Sequence, residues 1–242
     1  MNFFTNGLML TLVPRLPEIK QAFELSDDFY GIVVAAMGAG ALVVGPLPAR
    51  FIARHGALKV ALVSTIGAAL MLALASGAAS PLAFAVAFFL MGVLDAHIDA
   101  AQNTQGVAVQ IWAGRTIMSS LHATWSVGAT VATLAGSLAA GLRVPLAVHG
   151  GVMAVTIIVL ALACYRMGVI PPDVRLAQLH SKQKADQQAP ANWRRLLPVL
   201  PLALLGVGGV VPEAATNNWA ALSLVDHFGL GYSPAGMAVT LS

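Results

Sequence analysis

Charge is what this 242-residue sequence has least of. It carries 13 Lys/Arg and 10 Asp/Glu, about 10% of the chain, whereas a soluble domain typically has roughly a quarter of its residues charged. With 58% hydrophobic residues and a mean hydropathy of +0.80, a water-soluble globular chain is excluded, as are disorder and a collagen-like repeat. Cysteine is nearly absent too. Cys164 stands alone in an apolar run, so there is no internal disulfide framework. A sequence pI near 9.4 does not signal nucleic acid, because a net charge of +3 supplies no basic stripe for a phosphate backbone. Enzyme signatures are missing as well. None of Lys20, Lys59, Lys182 or Lys184 follows a glycine, so there is no Walker A loop, and no histidine precedes Glu as a zinc-protease motif requires. The nearest approach to a Gly-x-Ser-x-Gly elbow, Thr124 to Gly128, lacks its first glycine. A membrane protein without enzymatic, metal or cofactor chemistry remains.

What the sequence does have is long uncharged runs. A helix needs about 20 mostly apolar residues to cross a hydrocarbon core of about 30 Å. Phe29 to Ala49 gives one span, and Val60 to Leu94 breaks at Ser76-Gly77 to Ser80-Pro81, holding one span and starting the next. That next span runs from about Pro81 to Asn103 with Asp95 and Asp99 inside it. Thr116 to Leu142 and Val144 to Tyr165 follow, and a further helix starts at Leu196 and continues past Glu213 towards Trp219. The run Asn2 to Pro14 is short and reads as a first helix missing its beginning, not as a signal peptide, since it has neither a basic n-region nor a cleavage site. Another apolar stretch starts near Ser233. The expected tally is one partial helix, six complete ones and the start of an eighth, in an all-α membrane fold.

Alternating the spans puts ten basic residues on one face, among them Arg50, Arg54, Arg115 and Arg166, and three (Arg15, Lys20, Arg143) on the other. The positive-inside rule then makes the first face, and the N-terminus, cytoplasmic in a multi-pass plasma-membrane protein. Residues 166–195 are the one long polar stretch and divide a bundle at 1–165 from a second unit at 196–242. An offset of 205 residues aligns Phe23, Leu25, Gly31 and Val34 with Phe228, Leu230, Gly236 and Val239. This weak repeat is the one expected of two parallel-related halves.

The fourth helix carries the chemistry. Asp95 and Asp99 are four apart, and Gln102, Asn103 and Gly106 continue their stripe. An acid inside a membrane is costly and normally faces a bundle interior or a wet cavity. Burial disfavours its ionised form, which suits reversible proton uptake. His97 points off that stripe, and the alternating Asp95, His97, Asp99 set does not converge on one metal ion. The fifth helix has a polar side of Ser119, His122, Ser126, Thr130, Thr133 and Ser137, with Trp125 at its edge. Gly128, Ala132, Gly136 and Ala140 recur on roughly the opposite side, the spacing of a close helix interface. In the seventh helix Gly206, Gly208, Gly209 and Pro212 precede Glu213, Asn217 and Trp219, a composition that permits a broken helix beside a cavity.

Three blocks resemble the major facilitator superfamily, and within it the fucose-permease-like branch. They are Phe3 to Gly7 with Arg15-Leu16-Pro17-Glu18-Ile19-Lys20, Asp99 to Val109 with Gly114 to Gly128, and Glu213 to Leu222. The resemblance implies two pseudo-symmetric six-helix bundles, of which the first is nearly complete here, working by alternating access. It implies that Asp99 couples proton and sugar, with Asn103 as the neighbouring amide. No first-helix carboxylate precedes Glu18, unlike those permeases. The loop Gly45 to Lys59 is similar to the superfamily's cytoplasmic signature, making Arg50, Arg54 and Gly56 candidates for a cytoplasmic gate, although Ala49 replaces the usual Asp.

The expectation is a secondary transporter of a small polar solute, sugars among the candidates, coupled to protons. Asp99 is the first choice of proton carrier and Asp95 the second, with Asn103, Gln102, His122, Trp125, Glu213 and Asn217 as solute contacts. The rival readings are an efflux transporter of amphipathic compounds on the same fold and a non-transporting membrane sensor. The expected partners are the solute, protons and the lipid bilayer, with no cofactor, metal or nucleic acid. About twelve helices are expected of such a transporter, so this chain reads as a fragment or truncated gene model whose second bundle is mostly missing.

Overall fold

The computed structural model describes residues 1–45, 47–168, 201 and 219–240. Among these every regular element is helical, and the helices turn back and forth as the uncharged runs require. The first predicted helix is built in three pieces: α1 (Asn2–Gly7), a 3-10 helix (Leu8–Arg15) and α2 (Leu16–Ala22). Pro14 lies in the 3-10 stretch and offers no backbone N–H, one reason a regular α-helical ladder does not run through it. Eight residues is long for a 3-10 segment. The element therefore continues well past Pro14, and Arg15, expected in a loop, lies 1% exposed inside the bundle.

The second predicted span is bent. α3 (Asp27–Val43), capped by the Ser26 side chain accepting from the Phe29 amide, meets α4 (Leu47–His55) at 57°. Gly56 joins α4 to α5 (Ala57–Ser76) with φ of +85°, a conformation that a Cβ would strain. α6 (Pro81–Ala113) starts from a Ser80 cap with Pro81 in its first turn, and it runs ten residues beyond the expected end at Asn103. Gly114, left-handed at φ +63°, stops it. The Gln110 side chain then accepts from the Ile117 and Met118 amides, capping the start of α7 (Met118–Gly141). α8 (Leu146–Met167), α9 (residues 219–228) and α10 (Tyr232–Thr240) complete the described elements.

Three of these helices, α5, α6 and α8, are long and apolar enough to cross a membrane, and the bent α3–α4 pair makes a fourth if it is one span. α7 is long enough, at 24 residues, but its serines, threonines and histidine dilute its apolar character. The linker from residue 169 onward and most of the seventh predicted helix lie outside the described residues.

Glycine contacts set the packing. Methyl groups placed on Gly7 and Gly128 would strike the backbone of the facing helix, at Trp125 and Phe4 respectively, and one on Gly136 would strike Thr11. The small-residue stripe of α7 is therefore where α1 and the 3-10 helix lie, backbone against backbone. Gly40 and Gly92 do the same for α3 and α6, against Phe89 and Met37. The core between them holds Leu12, Leu16, Ile19, Tyr30, Leu72, Phe84, Met91 and Ile157. Lipid-facing positions such as Leu42, Val63, Leu82 and Val155 stay exposed on the outside, as a bilayer solvent permits.

Candidate functional site

α6 brings the two acids together one helical turn apart, but in different surroundings. Asp99 is exposed, and Asp95 is partly buried. Oδ1 of Asp99 accepts from Nε2 of Gln102 at 3.2 Å and from Nδ2 of Asn103 at 3.1 Å. Asn103 also donates to the Asp99 backbone carbonyl at 2.9 Å. Asp95 instead is faced from another helix, by the Asn6 side chain of α1. One turn earlier on α1, Nδ2 of Asn2 donates to Oε1 of Gln105 at 3.1 Å. Asn2 and Asn6, four apart on α1, thus extend the acid stripe of α6 into a two-helix polar seam. Neither had been singled out as a site residue. Their i, i+4 spacing in an apolar segment is the signal that would have found them.

His97 faces elsewhere: its Nδ1 bonds to the Val93 carbonyl at 2.7 Å, and its ring lies edge-on to Phe51 of α4, 5.4 Å between centroids. On α7, His122 is exposed, its Nδ1 donates to the Met118 carbonyl at 3.0 Å, and its ring sits 5.4 Å from Phe3. Because a carbonyl only accepts, the proton of a neutral His122 is on Nδ1, leaving Nε2 as an acceptor. Trp125 is half-buried. The polar side of α7 divides in two. Ser119, Ser126 and Thr130 are exposed, whereas Thr133 and Ser137 are buried, with Ser137 meeting Gly236 of α10. Hydroxyls along this side donate to carbonyls of their own helix, Thr130 to Ser126 at 2.9 Å and Ser137 to Thr133 at 2.8 Å. Arg50 and Arg54 are exposed on α4 and make no ion pair among the described residues. Glu213 and Asn217 lie outside the described residues.

A second polar cluster at the opposite end of the bundle had not been anticipated. Arg15 makes a two-pronged bond to Glu18, Nε to Oε2 at 2.8 Å and Nη2 to Oε1 at 2.9 Å, and a bond to the Val144 carbonyl at 2.8 Å. Its Nη1 also donates to Nδ1 of the buried His149 at 3.3 Å. Arginine cannot accept, so Nε2 of His149 carries the proton and donates to Thr11 Oγ1 at 2.9 Å, while Thr11 donates onward to the Ala132 carbonyl at 3.3 Å. One chain of bonds joins the 3-10 helix, α7 and α8.

At the same end, α9 and α10 are tied to the first bundle. Lys20 bridges Asp27 at 2.6 Å and Asp226 at 2.9 Å, and Tyr232 donates to Gln21. Trp219 lies edge-on to Tyr30, 5.2 Å between centroids, and against Gly31. Partial burial pulls Lys20 down, but the bonds and charges of Asp226 and Asp27 outweigh it and hold the ammonium above its ordinary value. Burial, then the Glu18 and Asp226 charges, push the Tyr232 phenol up. Gly31 and Gly236, paired by the 205-residue repeat, both sit where one half meets the other.

The described elements form a helical, multi-pass membrane bundle with two acids one turn apart on α6. Comparison with known proteins agrees. The sequence profile described as Major Facilitator Superfamily matches residues 1–242, and the chain belongs to that superfamily. It is 34% identical over 241 residues to the transporter y4wD of Sinorhizobium fredii, covering 97% of this chain and 60% of that protein. It is 31% identical to an MFS-type transporter of Yersinia pestis, covering 97% and 59%. The chain thus spans about three-fifths of the length of these relatives. Among solved structures, a variant of the nucleoside transporter NupG superposes with a TM-score of 0.70 over 99% of this chain and 60% of its own, at 16% identity. That likeness shows the fold: this chain is an all-α membrane protein of the major facilitator type.

Proposed function

We propose that the whole protein is a proton-coupled secondary transporter of a small polar solute, working by alternating access in the cytoplasmic membrane with its N-terminus inside. One observation carries this reading: two carboxylates sit one turn apart on a membrane helix, Asp99 held by the Gln102 and Asn103 amides and Asp95 faced by Asn6. An acid at that depth is retained for a task, and reversible protonation between two faces of a membrane is the task its chemistry fits. Asp99, on the exposed side, exchanges the proton with the cavity, and Asp95 behind it is the second acid of the pair. Asn103, Gln102, His122 and Trp125 offer hydrogen bonds and a ring face to the solute, and Glu213 and Asn217 of the seventh helix are assigned to the opposite wall. Arg50, Arg54 and Gly56 form the hinge and charged rim of the cytoplasmic gate.

The polar lining favours sugars and nucleosides over lipophilic cations, and the likeness of the sequence blocks to fucose-permease-type proteins supports sugars. The fold it shares with the nucleoside transporter NupG makes nucleosides the next class to try. The test is a screen of full-length protein in vesicles, adding sugars, nucleosides and lipophilic cations in turn and recording proton movement. A pH change driven by a polar solute and lost in Asp99→Asn supports the reading. Export of lipophilic cations with no response to any polar solute replaces it with the efflux alternative.

A further inference from the structure

Asn6 and Gln102 are 7% and 2% exposed, and in each the amide oxygen is buried with no hydrogen-bond donor among the described residues. Their nitrogens explain the orientation. Nε2 of Gln102 donates to the Asp99 carboxylate, and the Asn6 amide faces the Asp95 carboxylate. An ionised carboxylate only accepts, so each neighbouring amide must turn its NH2 towards the acid. The carbonyl end of each amide is thereby directed away into a buried setting with no donor for it among the described residues, a costly arrangement for a polar atom.

Proton uptake inverts that constraint. A proton from solution adds to a carboxylate oxygen and forms an O–H bond, and no other bond breaks. The acid has become a donor, and the amide oxygen of its own partner lacks one. A half-turn about the last side-chain torsion, which is soft, brings that oxygen onto the O–H and sends the NH2 to where the carbonyl had been. We propose that Asn6 and Gln102 are positioning residues that read the protonation of Asp95 and Asp99, reversing their amides so that the seam offers donors in place of acceptors. This deepens, and rests on, the proton-coupled reading.

Among the described residues, the surroundings leave the acids to set this switch. Asp99 is the charge that acts on Asp95. His97 is turned to Phe51, and His122 of α7 lies on Phe3. Asp27 and Asp28 of α3 are in its first turn, far from the Met37 that meets α6 at Gly92. Arg50, Arg54 and His55 of α4 and Lys59 of α5 are exposed.

Infrared difference spectroscopy on the full-length protein in lipid vesicles, between neutral and acidic pH and with no solute present, tests this. The expected spectrum contains protonated-carboxyl bands that are lost in Asp95→Asn and Asp99→Asn. Side-chain amide bands accompany them and shift on 13C-labelling of asparagine and glutamine. The asparagine amide band disappears in Asn6→Leu, whereas Asn6→Gln, which keeps the amide and controls for folding, replaces it with a band that shifts on glutamine labelling; the glutamine band disappears in Gln102→Leu. Carboxyl bands without any amide change overturn the proposal, as do amide bands that survive both leucine variants or an acidified protein with no carboxyl band. Amide reversal together with solute transport that moves no protons upholds the switch and removes the transport reading, so the two fail separately.

Discussion

Adding one methyl group at Gly128 tests the backbone-on-backbone contact that places α1, and with it Asn6, against the rest of the bundle. An alanine Cβ there would stand 3.0 Å from the carbonyl carbon of Phe4 and closer still to its oxygen, and neither atom belongs to a flexible side chain that can swing aside. The helix has to retreat by about 1 Å, and overpacking of this kind costs about 1–3 kcal/mol. Gly38→Ala is the matched control, since its Cβ would meet nothing within 4 Å and replacing a mid-helix glycine contributes about 0.5–1 kcal/mol of stability. The two variants carry the same chemical change with opposite expected signs. For a chain of this size about 1 kcal/mol moves the melting point by about 2–4 °C. Gly128→Ala in detergent should therefore melt about 2–12 °C lower, and Gly38→Ala at or slightly above the unmodified chain. The buried thiol of Cys164, the chain's one cysteine, reports the opening through a thiol-reactive fluorophore. A Gly128→Ala chain as stable as Gly38→Ala would refute the close packing of α1 on α7.

Other perturbations follow from the outer clusters. Glu18→Gln leaves the Arg15 guanidinium, 1% exposed, without its carboxylate; because Glu18 itself is 31% exposed, the cost is about 1–2 kcal/mol and not the larger value of a fully buried pair, read as a lower melting point that Glu18→Asp partly restores. Lys20 and Tyr232 both titrate above their ordinary values of 10.5 and 10.0. Groups raised in this way stabilise the folded chain below their unfolded values and lose that contribution as pH rises through the folded ones. The tie between the first bundle and α9–α10 should therefore hold through neutral pH and loosen only above about pH 10, seen as Trp219 fluorescence released from Tyr30. Lys20→Met should give the same release at neutral pH, and exchanging the charges, Lys20→Asp with Asp226→Lys, should reverse part of it.

The acid stripe of α6 was legible because it depends only on helical spacing: Asp95, Asp99, Gln102 and Asn103 follow from one another along one element. The α7 glycines were legible for the same reason, and Gly128 and Gly136 meet the first helix as their period requires. His149 was not, because it acquires its meaning from Thr11 and Arg15 on a different helix. Arg15 misled for a physical reason. Charge-free runs define spans by where charges stop them, and a guanidinium satisfied by Glu18, His149 and the Val144 carbonyl can lie inside a bundle without breaking it. The 3-10 stretch hid in the same way, since tightening of a helix leaves no trace in its apolar content. Periodicity puts Thr133 and Ser137 on the same polar side as the exposed Ser126 and Thr130, but α10 covers Ser137, and a lone helix period cannot show which neighbour comes to rest on it.

The central claim is that the α6 acids couple protons to solute movement. Full-length protein in vesicles, given a polar solute that it moves, should accumulate that solute when the outside is acidified. Asp99→Asn should abolish the acid-driven accumulation while leaving one-for-one exchange of labelled for unlabelled solute intact. Acid-driven accumulation persisting in both Asp99→Asn and Asp95→Asn would contradict the account.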